Sequence, residues 1–244
     1  MIDFSNVSFN SVLGKVIRLP LYLIPSSTIL PILQGKLRGK RWIKGSSING
    51  CWLGTYELDK QVLFTKELKP EMVVYDIGAN VGYYTLLAST LVTNEGKVYS
   101  FEPFPENVAY LNKHLELNKI SNVSVIEKAI SNQNGKLKFE IGENNSVGKI
   151  SDTGTIVVET ISIDDFIKQG YPKPDVIKMD IEGAEYVALT GAHHLLKSNK
   201  PIIFLATHSP ELRTNCLNLL FEYGYRITCI GNKPLDESDE FICR

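Results

Sequence analysis

Four short apolar runs in this 244-residue chain each lead to a side chain that could do chemistry. The run from Val73 to Ile77 carries Asp76 and opens into a glycine-rich turn holding Gly78, Asn80 and Gly82. Lys97 to Phe101 leads to Glu102, Asp175 to Met179 leads to Asp180, and Pro201 to Ala206 leads to His208. Carboxylates in such places bind ammonium or hydroxyl groups or accept a proton, and an imidazole titrates near neutral pH. A glycine turn that opens a helix offers free N–H groups and lets the backbone approach a ligand closely. Together these residues describe a crevice for a nucleotide-like molecule at the carboxyl ends of strands.

Glycine spacing separates the possible ligands. A dinucleotide fingerprint needs G-x-G-x-x-G, and the turn has no third glycine in phase; the phosphate loop G-x-x-x-x-G-K-[ST] does not occur. This favours a ligand without a pyrophosphate, such as S-adenosylmethionine. Asp76, at the tip of its strand, is expected to take the α-ammonium of the methionine part, directly or through water. The backbone at Gly78, Asn80 and Gly82 is expected to approach the carboxylate and ribose. Glu102, 24 residues past Gly78, is placed to accept both ribose hydroxyls. Pro103 and Phe104 would wall the adenine, Ala129 is small enough to let its edge reach backbone, and Tyr56 and Glu57 would close over the methionine end.

The elements that must hold these residues alternate. Apolar runs predict core strands at 73–77, 97–102, 123–126, 175–180 and 201–206, separated by helical patterns at 85–92, 105–117, 184–197 and 210–223. Residues 137–141 and 156–161 alternate like antiparallel strands around a polar loop at 142–154, and 225–230 with 240–243 fit a final strand pair. Ser162 and Asp165 form a capping box for a short helix. This rhythm predicts an α/β fold with a doubly wound, mostly parallel sheet.

The net charge of −1 conceals an uneven distribution. Residues 1–50 carry Lys15, Arg18, Lys36, Arg38, Lys40, Arg41 and Lys44 against the single acid Asp3, so this segment is +6 and the remainder −7. It reads as an N-terminal helical lid, with a helical stripe through Phe9, Val12, Val16 and Leu19, ahead of a cofactor-binding domain over residues 51–244. Packing of the lid on the acidic body is the simpler reading, and a weak contact with an anionic membrane surface is the other. Trp42 and Trp52 fit anchors of the lid better than platforms for a sugar. The four cysteines are scattered, which argues against a structural metal site and for a reduced, cytoplasmic chain, membrane-peripheral at most. Pro20, Pro25 and Pro31 break the apolar stretch 19–33, so neither a spanning helix nor a signal peptide is expected.

Three motifs, DIGANVG at 76–82, FEP at 101–103 and above all IKMDIEGAE at 177–185, resemble the FkbM family of S-adenosylmethionine-dependent methyltransferases. The resemblance covers about residues 50–210. It implies a seven-stranded class I methyltransferase core and methyl transfer to a hydroxyl of a sugar, polyketide or related metabolite, so the expected partner is a small-molecule or glycan acceptor. Transfer is an in-line displacement in which an alcohol must also lose its proton. Asp180 is the first candidate for that proton, His208 the second, either alone or oriented by Asp180, and Glu182 could orient the acceptor. Glu185, in a first helical turn, has an ordinary structural explanation in the helix dipole. Asp180, His208 and Glu182 could also gather a divalent cation, but Ala206 and Thr207 stand where a further ligand would help, and no metal is expected. A nucleic-acid methyltransferase fits less well because the body is acidic and no N-P-P-Y tetrapeptide follows the fourth strand. A nicotinamide oxidoreductase is disfavoured by the glycine spacing, and a non-catalytic binding module by the set Asp180, Glu182 and His208.

Overall fold

The computed structural model describes residues 21, 23–141, 148–150, 156–231 and 233–244. The helical stripe expected at 9–19 and most of the polar loop at 142–154 lie outside them. Short runs of Val, Ile, Tyr and Phe form the strands β3 (Val73–Ile77), β4 (Lys97–Phe101), β5 (Val123–Ile126), β10 (Val176–Met179), β11 (Ile202–Ala206), β12 (Ile227–Cys229) and β13 (Glu240–Cys243). They make one sheet in the order β12-β13-β11-β10-β3-β4-β5. β11, β10, β3, β4 and β5 are mutually parallel, and β13 enters antiparallel between β11 and β12.

Both faces of this sheet are covered, which is why its strands read as nearly continuous apolar runs. One face carries Val74, Val98, Val176, Phe204 and Ile242 against α2 (Leu58–Glu67) and α3 (Tyr83–Val92). The other carries Tyr75, Ile77, Tyr99, Phe101, Ile177, Met179, Ile203 and Leu205. Against these pack α5 (Ile163–Lys168), α6 (Glu185–Thr190), α7 (His193–Ser198) and α8 (Pro210–Glu222). The single helix expected at 184–197 is two, because a side chain at Gly191 would meet the Ser131 carbonyl at 2.3 Å, and Asp164 caps α7 by accepting from the backbone of His194 and Leu195. The Ser162 cap is present, its hydroxyl accepting from Asp165 N.

A second sheet, β6-β9-β7-β8, is built from β6 (Ala129–Ile130), β7 (Gly135–Ile141), β8 (Gly148–Ile150) and β9 (Ile156–Ile161). β7 and β9 pair antiparallel as their alternation suggests, and β6 adds in parallel to β9, fixing Ala129.

Residues 29–43 form a hairpin where a helical lid was expected. β1 (Ile29–Pro31) pairs antiparallel with β2 (Arg41–Ile43), and a 3₁₀ turn (Lys44–Ser46) leads to α1 (Asn49–Leu53). Trp42, fully buried, is the anchor the sequence suggested. It stacks on His114 of α4 (Pro105–Leu117), with ring centroids 3.8 Å apart. His114 Nε2 accepts from Ile43 N at 3.1 Å while Nδ1 donates to the Val81 carbonyl at 2.7 Å, so the ring is a neutral bridge. Burial lowers its pKa to about 4 and keeps it neutral.

Candidate active site

The turn after β3 is built around close backbone contacts. Gly78, at φ +75°, has no room for a side chain, since a Cβ would lie 2.0 Å from the Asp180 carbonyl oxygen. Gly82, at φ +93°, makes room for packing: a Cβ there would meet Leu111 of α4 at 2.3 Å, and Gly82 itself lies between the cleft-lining Val81 and Tyr83. Asn80, also left-handed at φ +51°, directs its N–H to Glu102 Oε2 at 2.8 Å.

A cleft opens beside this turn at the carboxyl ends of β3, β4 and β10. Its lining brings together Gly78, Asn80, Glu102, Pro103, Phe104, Ala129, Asp180 and Glu182, with Tyr56, Ser47 and Cys51 entering from the N-terminal side. Burial pushes the Cys51 thiol up to about 12, so it offers no thiolate at neutral pH. Glu102 is 4% exposed, and burial raises its pKa against the hydrogen bonds that favour its ionised form. Oε1 accepts from Phe104 N and Asn107 Nδ2, and Oε2 from Asn80 N. Of about four acceptor positions on a carboxylate three are filled from within the protein, which leaves room for one hydroxyl where both ribose hydroxyls were expected.

Two cofactor candidates are placed otherwise than expected. Asp76 is not at the tip of the turn but inside β3, 1% exposed and outside the cleft lining. It belongs to a polar row across the sheet: Asp76 is in register with Ser100 of β4 and Lys178 of β10, and Thr85 Oγ1 of α3 donates to Asp76 Oδ2 at 2.6 Å. Asp76 Oδ1 is buried with no hydrogen-bond partner, its nearest cation being Lys178 Nζ at 3.6 Å. Glu57 pairs with Lys60 Nζ at 2.7 Å in a separate depression that also contains Glu240, so it does not close over the cleft.

Asp180 and His208 meet, and two further acids join them. His208 Nε2 lies 3.3 Å from Asp180 Oδ1 and 3.4 Å from Glu182 Oε2, while Nδ1 bonds Glu185 Oε1 at 3.0 Å. Glu185 is more than a dipole partner. Fully buried, it gathers the N–H groups of Ile181 at 2.9 Å and Gly183 at 3.1 Å, fixing the turn in which Glu182 takes the left-handed φ of +53°. Its remaining capacity orients His208. The Asp180 hydrogen bond first, then Glu185, raise His208 to about 10, so at neutral pH it is an imidazolium. Burial pushes the Asp180 carboxyl upward, but Lys178, His208 and Lys60 outweigh burial and hold it below the ordinary carboxylate range. Lys178 Nζ is anchored on the Gly78 carbonyl at 2.8 Å and reaches Asp180 Oδ2 at 3.9 Å. Asp180, Glu185 and His208 could each offer a metal ligand atom within 4.8 Å of the others, but the His208 protons compete for the same positions.

Lys178 and Glu185 are the residues of this cluster that the sequence did not single out as candidates. Lys178 left a signal, since it interrupts the otherwise apolar buried strand β10 and unpaired ions are rarely buried so deeply; Glu185 left none, because an acid in a first helical turn is ordinary.

The sheet order, with its antiparallel seventh strand and a cleft at the strand ends, is that of a class I methyltransferase fold. Over residues 76–227 the sequence matches the Methyltransferase FkbM domain, and the chain belongs to that family. It is 30% identical over 145 residues to the hexuronic acid methyltransferase AglP of Haloferax volcanii, a match covering 58% of this chain and 59% of that protein. In fold it resembles methyltransferase FkbM of Methylobacillus flagellatus (TM-score 0.53, 18% identity, 81% of this chain and 56% of that one). It also resembles a putative rRNA-methylase of Clostridium thermocellum (TM-score 0.52, 13% identity, 75% of this chain and 90% of that one). The chain thus spans under two thirds of the length of AglP and of the Methylobacillus protein.

Proposed function

We propose that the chain transfers the methyl group of S-adenosylmethionine to a hydroxyl oxygen of a sugar or related polyol. The observation that carries this reading is the cluster of Asp180 with His208 and the buried Glu185, in which Asp180 lines the same cleft as Glu102. The residues fit this cofactor. Glu102 keeps an acceptor position for a ribose hydroxyl, and Pro103, Phe104 and Ala129 supply an adenine wall. When bound, the cofactor supplies an electrophilic methyl group on a sulfonium.

The chain positions the acceptor and takes its proton. Asp180 is the proton acceptor, because His208 is already protonated and cannot be one. The low basicity of Asp180 suffices, since an alcohol oxygen becomes strongly acidic only as its new bond to carbon forms. His208 fixes Asp180, and Glu185 fixes His208. Beside His208 a groove of about 630 Å³ shares Ile181, Glu182 and Ala184 with the cleft and is the place for the acceptor. Among the described residues its lining contains Glu182, Glu211 and the His208 imidazolium, with no lysine or arginine, so two acids face one cation. A neutral hydroxylated ring fits there better than the carboxylate-bearing ring in the name of the AglP relative.

Calorimetry with S-adenosylhomocysteine and transfer of a labelled methyl group test the reading. Glu102→Ala is expected to weaken cofactor binding about 10-fold or more, and unchanged affinity would remove the cofactor from this cleft. Asp180→Asn should bind normally and lose about 10²-fold or more in turnover, with neutral glycosides preferred over uronates as acceptors. Full turnover in Asp180→Asn would reassign the base.

A further inference from the structure

The β1–β2 hairpin has one face committed and one open. Antiparallel partners share a face, so Leu30 and Trp42 point inward together, while Ile29 with Ile43 and Pro31 with Arg41 form the outer face. Ile29 is 44% exposed, Leu33, just past β1, 50%, and Leu23, before it, 83%. The same hairpin carries exposed cations, Arg41 opposite Pro31 and Lys36 and Arg38 in the turn between the strands. From residue 21 to Tyr56 the sequence has five cations and no acid. Every ion pair among the described residues lies outside this stretch. At the end of α4 behind the hairpin, where Asn118 accepts from Arg41 N, Glu116 is outnumbered by Lys113 and by Lys119 just past the helix.

We infer that this face docks on an anionic lipid surface, the cations on headgroup phosphates and Leu23, Ile29 and Leu33 in the interfacial layer. Exposed aliphatic side chains accompanying the cations favour a bilayer, because a surface that only tracks nucleic-acid phosphates gains nothing from them. The position of the hairpin gives docking a use. Ser47, which lines the cleft, is four residues beyond Ile43, so the chain keeps the cleft within roughly 14 Å of the docked strand. Acceptors carried in the same membrane would then be presented to it. The docking itself is independent of which reaction the cleft performs.

Flotation of the full chain with vesicles tests this directly. Co-flotation is expected with phosphatidylcholine containing phosphatidylglycerol, reversed by salt, and not with phosphatidylcholine alone. Each surface cation adds about five-fold to partitioning, so the double variant Lys36→Glu with Arg38→Glu should lose about 25-fold or more. Leu33→Ser should also weaken binding, whereas Lys197→Glu, on a helix at the opposite face of the sheet, should leave it unchanged. Absence of flotation at low salt overturns the inference, as does flotation indifferent to the hairpin variants. Retention of duplex DNA by a chain that fails to float would assign the cations to nucleic acid instead.

Discussion

Replacing His208 by glutamine tests the charge state on which the assignment of Asp180 rests. The imidazole is raised from an ordinary 6.5 to about 10, chiefly by its hydrogen bonds to Asp180 and then Glu185. A group raised on folding contributes stability that is complete below its unfolded value and is lost as pH climbs through its folded value. The window is therefore about pH 6.5 to 10. At about 1.4 kcal/mol per pH unit the ceiling is about 5 kcal/mol. The ring is 31% exposed, and solvent screening reduces the expected contribution to about 1–2 kcal/mol. Urea unfolding of the wild type and His208→Gln at several pH values across this window isolates the contribution, because other titrating groups are common to both. The wild type should lead by most at the acid end, and its lead should shrink by about 1–2 kcal/mol towards the alkaline end. A constant difference would mean that His208 is neutral throughout, and Asp180 would lose its claim to be the only available base.

Two further substitutions probe the turn after β3 and the separate depression beside Lys60. Gly78→Ala should destabilise the fold by about 3 kcal/mol or more, read by urea unfolding, because φ is +75° and the new Cβ would fall 2.0 Å from the Asp180 carbonyl. Glu240 is raised to about 7, first by burial and against the pull of Lys60, 2.6 Å away. A carboxyl raised on folding loses stability as pH rises from 4.5 to about 7, so Glu240→Gln should gain on the wild type across that interval in the same assay.

The core strands were legible because burial on both faces leaves runs such as Val73–Ile77 and Ile202–Ala206 almost wholly apolar. Their order was less so. Nothing local in Glu240–Cys243 says that it slips between β11 and β12; that follows from packing over long separations. The hairpin escaped because its strands are three residues each, too short for a period, and Pro31 and Pro25 read as breakers. Pro31 is tolerated because it ends β1 at an edge. In the site, positions at strand ends were legible and contacts were not. Gly82 looked like a ligand glycine, yet its missing side chain makes room for Leu111, a partner 29 residues away. Glu185 looked like a dipole acid because sequence spacing does not show that the turn folds back and delivers its carboxylate to the loop amides and to His208.

Lys178 ties these observations together. A lysine in the middle of a parallel sheet is tolerated only with partners, and it has three: the Gly78 carbonyl, Asp76 and Asp180. It therefore joins the Gly78 turn to Asp180, the proposed proton acceptor, through one side chain. With His208 it holds Asp180 ionised under all ordinary conditions, at the expense of basicity. That trade suits a displacement in which the proton leaves only after the acceptor oxygen has begun to bond to carbon. A stronger base would be partly protonated and unready, whereas a weak base held in position is always open to the hydroxyl hydrogen. Placement of Asp180 is then fixed by Glu185 through His208 and by Gly78 through Lys178, and the second route passes through a turn with no room for a side chain.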